Sequence, residues 1–162
     1  MSDIAVRIAT PEDVDGLIEH CRLLHGENGL FGLSDRKVAY LLDKGFRQEG
    51  AIIGVIGDEG SPKASIYLSV EQPYYSEDWH LMELWNFVMP PRAHRAGHAK
   101  RLIEFAKYCS DEMQLPLVIG ILSNQRVEAK VRLYERQLEK AGVFFVHNRN
   151  CASGTAWSRA EN

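Results

Sequence analysis

The chain has 162 residues, 45% of them hydrophobic and 25% charged, with a net charge of −3. That is about one domain's worth of chain with enough apolar residue for a core, so a single domain over residues 1–162 is expected. The net charge gives no case for broad nucleic-acid binding, and no apolar run approaches the roughly 20 residues of a membrane span.

The first residues, "MSDIAVRIATPEDVD", lack the basic stretch and apolar core of a signal peptide, and a cytoplasmic protein is expected. Residues 3–9 read as a short strand. Thr10, Pro11, Glu12 and Asp13 make a helix start: a capping residue, proline at the first position, acids in the first turn. Val14, Leu17, Ile18, Cys21 and Leu24 follow at helical spacing. Residues 26–32 break that helix, and Ser34 caps a second one carrying Val38, Leu41 and Leu42. "AIIGVIG" (51–57), the turn "DEGSP" and "KASIYLSV" (63–70) predict a hairpin. Residues 71–78 read as a loop and 79–89 as a longer strand. From Ala96 the period is helical, with Ala99, Leu102, Ile103, Ala106, Cys109 and Met113 on one face. "LPLVIGIL" (115–122) is a buried strand by its continuous apolar run. Residues 126–140 are helical, with Val127, Val131, Tyr134 and Leu138 on the apolar face and Gly142 at the end. "VFFVHN" (143–148) starts a further strand, and 155–158 add one more. This order predicts an α/β fold of the α+β type, with a mixed sheet and helices on its faces. It lacks the regular alternation of a doubly wound unit.

The stretch "NFVMPPRAHRAGHAKRLIEFA" (86–106) puts basic residues and a glycine where a strand hands over to a helix. A helix N-terminus offers N–H groups and a positive dipole end, which together hold phosphate. Gly97 admits a ligand close to the backbone, Ala99 is small, and Arg92, Arg95, Lys100 and Arg101 add charge. Two readings fit these residues: a pyrophosphate cradle, or a solvated basic helix start. Glu83 is the only acid in an apolar and aromatic strand, "HLMELWNFVM". Buried, such a carboxylate suits proton abstraction from an ammonium; turned outward, it is a solvated or substrate-binding acid. Tyr134 lies on the apolar face of its helix and reads from the residues as a core tyrosine whose hydroxyl must find a partner. His94 and His98 are four apart but lack the Glu of H-E-x-x-H, and no metal is expected. Cys21, Cys109 and Cys151 form no C-x-x-C pair and read as inert, reduced thiols.

Strand, "VMPPRAHRAGHAKRLIEFA", "LPLVIGILSN" and "VRLYERQLEKAGVFF" together resemble the GNAT superfamily of acyl-CoA-dependent N-acetyltransferases. "HAKRLIEFAK" with "KVRLYERQL" further resembles phage- and prophage-encoded members. The resemblance implies a mixed, mostly antiparallel sheet of six to seven strands with helices on both faces. It implies acetyl-CoA as cosubstrate, a small-molecule or peptide amine as acceptor, and a homodimer. Membrane and nucleic-acid partners are not implied. By position, Phe87, Val88 and Met89 offer backbone to pantetheine, while Arg95, Ala96, Gly97, His98, Ala99 and Lys100 hold the pyrophosphate. Asn124 stands at the end of the neighbouring strand. Glu83 takes the place of the base and Tyr134 that of the acid protonating the CoA thiolate. The amine would attack the thioester directly in a ternary complex. The sequence departs from the family pattern at His94, where Arg or Gln is usual. Three extra residues also precede Gly142, and Asn124 lies ten residues before Tyr134. The alternative is a GNAT-fold module that binds acyl-CoA without turnover. Acceptor choice is expected in the loops within residues 25–38 and 71–80, whose acids and aromatics suit a cationic amine.

Overall fold

A computed structural model describes residues 5–28, 31–91, 97–121 and 127–147. The chain divides into two compact units, Met1–Cys21 with Asp35–Gly120, and Arg22–Ser34 with Ile121–Asn162.

The apolar runs of the larger unit pair into one sheet. β1 (Arg7–Ile8), β2 (Ala51–Ile56), β3 (Ala64–Glu71), β4 (His80–Val88) and β5 (Leu117–Val118) lie side by side in chain order. The first four are antiparallel and β5 joins β4 in parallel. The sheet is therefore mixed and mostly antiparallel, as the sequence predicts. Its strand count is five among the described residues, against the six to seven expected. Residues 143–147 form no strand, and Phe144 and Phe145 are 81% and 92% exposed. An apolar run becomes a strand only when a neighbouring edge takes its backbone groups, which local sequence does not reveal. Residues 155–158 lie outside the described part. β5 is also far shorter than the buried strand expected over 115–122: Val118 is 40% exposed and only two residue pairs join it to β4.

Helices α1 (Val14–Asn28), α2 (Asp35–Phe46), α3 (His98–Met113) and α4 (Val127–Glu135) follow the predicted helical periods. A 3-10 turn, Pro11–Asp13, precedes α1 with Thr10 at its N-cap. Cross-strand partners share a face of the sheet, so the register sorts the core. On one face Ile56, Ala64, Ile66, Leu68 and Leu81 pack with Leu102, Ala106 and Cys109 of α3. The Phe105 ring rests on β2 where Gly54 leaves room; a Cβ there would come within 2.5 Å of it. On the opposite face α2 approaches β2 through Gly45, whose missing Cβ would meet Ile53. α1 buries Leu17 and Cys21 as its period predicts, and also His20, which the apolar pattern passes over. Each fully buried aliphatic side chain contributes about 1.5–3 kcal/mol, so these two layers fix β4 from both sides.

The start of the chain is tied down by charge. Asp13 is wholly buried, and its carboxylate accepts from Arg7 Nη1 and Nη2 at 2.7 and 2.8 Å. It also accepts the Thr10 and Gly60 amides at 3.0 and 2.9 Å. Arg7 Nε donates to the Gly57 carbonyl at 2.9 Å. One carboxylate thus joins β1, the helix start and the β2–β3 turn.

Candidate active site

β4 is interrupted by a bulge. Tyr67 faces Trp85 and Leu68 faces Glu83, so Leu84 has no opposite residue on β3. The extra residue resets the alternation. Glu83 stays opposite Leu68, and beyond the bulge Asn86 lies opposite Ile66 and Val88 opposite Ala64. Glu83, Asn86 and Val88 therefore share the α3 face. Glu83 is buried, 8% exposed, on this face.

The same alternation decides where the backbone points. Met89 N–H donates to the Lys63 carbonyl at 2.8 Å, which turns Met89 and, two residues back, Phe87 toward β3. Val88 and Asn86 direct their peptide groups to the opposite edge. That is the edge on which Leu81 N–H donates to Pro116 at 2.8 Å. The ladder with β5 covers only Leu81↔Leu117 and Met82↔Val118, whereas the ladder with β3 continues to Val88. Of the three residues expected to offer backbone, Val88 is the one whose groups face the β5 side. The Phe87 side chain is buried against His20, ring centroids 5.2 Å apart. Phe87 therefore turns its side chain toward α1 and its backbone toward β3.

Behind β4 runs a chain of hydrogen bonds. Trp85 Nε1 donates to Ser65 Oγ at 3.1 Å, Ser65 Oγ meets His20 Nδ1 at 2.8 Å, and His20 Nε2 meets the Pro62 carbonyl at 3.1 Å. A carbonyl only accepts, so Nε2 carries a proton and donates to Pro62. The network locks Trp85 and Phe87 in place. Sequence reading missed it, because a buried histidine leaves no periodic signal. It also missed Asn86, whose Nδ2 is buried and meets no acceptor among the described residues. Only the polar interruption of an apolar strand marks that position.

α3 begins at His98 with Gly97 as its N-cap, after strand β4 and a cis Pro90–Pro91 peptide. Gly97 has φ −83° and ψ −15°, an ordinary helical conformation, so what the glycine offers is its missing side chain. No side chain caps this helix and its first turn holds no acid. The start of α3 is thus electropositive and suited to an anion. Lys100 and Arg101 stand there, 3.8 and 3.1 Å from Glu104, in exposed pairs that an incoming anion can recruit. His98 and Ala99 are half-buried in the first turn. Arg95, Ala96, His94 and Asn124 lie outside the described residues.

Tyr134 lies in the smaller unit, near the end of α4, and is half-buried. Its carbonyl accepts from Gln137 and Leu138 N–H at 2.9 and 2.8 Å, closing the helix seven residues before Gly142. No residue of α4 is buried; Val131 and Tyr134 of its apolar face are half-buried. The period gives the helix, but burial needs a facing surface that the period does not encode. Among the described residues, no three His, Cys, Asp or Glu converge where a metal ion could sit. No helix there is long and apolar enough to cross a membrane.

No protein-family model and no curated protein sequence matches the chain. Solved structures do. An acetyltransferase of Trypanosoma brucei superposes with a TM-score of 0.63 at 19% identity, covering 90% of this chain and 98% of its own. An aminoglycoside acetyltransferase from an uncultured soil metagenomic sample, solved with trehalose, gives 0.63 at 18%, covering 89% and 95%. AAC(6')-Iy, solved with the bisubstrate analogue CoA-S-monomethyl-acetylneamine, gives 0.65 at 15%, covering 91% and 98%. The chain has the GNAT fold. At these identities the likeness is one of fold, and it extends over nearly the whole length of each neighbour. β4, its bulge and α3 all belong to the larger unit.

Proposed function

We propose that the protein is an N-acetyltransferase that moves the acetyl group of acetyl-CoA to a primary amine. The observation that carries this reading is Glu83: a carboxylate 8% exposed on β4, sharing its face with Asn86 and Val88. Shortly after β4 comes an uncapped, acid-free helix start. The GNAT fold and its acetyltransferase neighbours support the same reading.

In this scheme acetyl-CoA is a substrate. The amides at the start of α3, at Gly97, His98, Ala99 and Lys100, hold its pyrophosphate, and Arg95 and Ala96 join them by their place in the sequence motif. Val88, flanked by Phe87 and Met89, lends backbone to pantetheine in the manner of an added strand. Asn124 is assigned to CoA binding by its place in the sequence alone. Glu83 takes a proton from the ammonium, directly or through water, and the amine attacks the thioester carbonyl. The Val88 N–H polarises that carbonyl, and the buried Asn86 amide adds a donor for an oxygen of the acceptor. Tyr134 protonates the departing sulfur. Holding amine and thioester together supplies much of the acceleration.

The test is CoA release with a panel of amines. Glu83→Gln should lower kcat by about 10²–10⁴-fold, the range for a positioned base, with acetyl-CoA affinity little changed. Turnover equal to wild type in that variant would remove Glu83 from the chemistry.

A further inference from the structure

Between β3 and β4 the chain makes a short loop that is folded on itself. Gln72 Nε2 donates to the Glu77 carbonyl at 2.6 Å, Ser76 N–H donates to the Pro73 carbonyl at 3.2 Å, and Asp78 N–H donates to Ser76 Oγ at 3.1 Å. From this frame three large rings stand out into water. Tyr74 is 100% exposed, Tyr75 77% and Trp79 51%. The two tyrosine rings meet edge to face with centroids 5.1 Å apart. Scattered exposed apolar residues need no explanation, but three rings within six residues on an internally braced loop do.

The charge of the loop narrows what they fit. Residues 71–79 include Glu71, Glu77 and Asp78 and no Lys or Arg. Among the described residues, no salt bridge engages these three acids. Rings alone would suit any apolar surface, and acids alone any counterion. Together they select an organic ammonium, which is attracted to ring faces and to carboxylates at once.

The loop also has a fixed relation to Glu83. Trp79 immediately precedes β4 and Glu83 follows four residues later, a separation of roughly 13 Å at strand rise. Building on the acetyltransferase reading of Glu83, we propose that the 72–79 loop is a second acceptor subsite. It holds a distal cationic group of a polyamine-type substrate while the reacting amine sits at Glu83.

The test is calorimetry on the full chain with spermine, 1,5-diaminopentane and n-butylamine at constant ionic strength. Spermine should bind about tenfold or more tighter than butylamine. The double variants Tyr74→Ala/Tyr75→Ala and Glu77→Gln/Asp78→Asn should each lose about fivefold for spermine and almost nothing for butylamine. Asp111→Asn/Glu112→Gln, which removes two exposed acids from the end of α3, should leave spermine affinity unchanged. Equal affinity for spermine and butylamine overturns the proposal, and so does an equal loss in the α3 control. In turnover, the loop variants should raise KM for the diamine and spare kcat. Unchanged KM beside intact acetylation sinks the loop subsite and leaves the enzyme reading standing. Loop-dependent spermine binding with no amine acetylated removes the loop from an acceptor site because the enzyme reading itself has failed.

Discussion

Replacing Asp13 by asparagine keeps the shape and removes the charge that joins β1, the helix start and the β2–β3 turn. The wild-type carboxylate accepts four hydrogen bonds, two from Arg7 and one each from the Thr10 and Gly60 amides. An asparagine amide turns two N–H groups into a pocket furnished only with donors. Breaking a buried pair by removing one partner costs about 3–5 kcal/mol. The Arg7 side chain is 30% exposed, so water recovers part of that, and about 2–3 kcal/mol is expected. In urea, at about 1–3 kcal/mol per molar, the midpoint falls by roughly 0.7–3 M. The effect has a sign in pH. Burial alone would raise the Asp13 carboxyl, but the Arg7 hydrogen bonds and the Thr10 and Gly60 amides outweigh it and hold the group below its ordinary value of 3.8. A group depressed in the folded state gives its full stabilisation above 3.8 and loses it as pH falls through the lower folded value. The gap between wild type and Asp13→Asn should therefore be wide at pH 7 and narrow progressively below 3.8. Urea unfolding at the two pH values, followed by circular dichroism, reads both. Equal midpoints at pH 7, or a gap that does not shrink in acid, would refute the reasoning.

Other outcomes follow from the same structure. Gly54→Val puts carbon 2.5–2.8 Å from the Phe105 ring and should cost about 1–3 kcal/mol in chemical denaturation. At Gly57 the backbone has φ +116° and a Cβ would lie 2.8 Å from the Ser61 carbonyl. Gly57→Ala should lose about 1 kcal/mol or more, where an alanine at an ordinary φ would gain. Burial pushes the Cys21 and Cys109 thiols up to about 11, so both stay protonated at pH 8. Peptide mapping after iodoacetamide treatment should find both unmodified until denaturant is added. Tyr134→Phe should lower kcat by about 10²-fold or more while sparing acetyl-CoA affinity; an unchanged kcat would end its role as acid.

Helices were legible because their signal is local. The face of Leu102, Ala106 and Cys109 on α3 is written in the spacing and buries as read. The β2–β3 hairpin was equally plain, since glycine and proline punctuate it. What failed depended on partners distant in the chain. The run at 115–122 reads as a buried strand, yet β5 is two residues long and half exposed, because pairing rather than apolarity sets strand length. The segment at 143–147 fails for the same reason. Glu83 was found as the lone acid in an apolar strand. Asn86, three residues on, became visible only through the bulge at Leu84 that returns it to the same face. His20 meets Ser65 and Asp13 accepts from Gly60, each more than 40 positions away, and no local pattern could join them, although Arg7 and Thr10 lie near Asp13 in the chain.

The central claim is acetyl transfer, and its most direct test is a mass-spectrometric assay of acetyl-CoA with an amine panel. The account predicts acetylated amine and free CoA in equal amounts with the wild-type chain, and a loss of about 10²-fold or more with Glu83→Gln. Absence of acetylated product from every amine, with no acetyl-CoA binding by calorimetry, would contradict it.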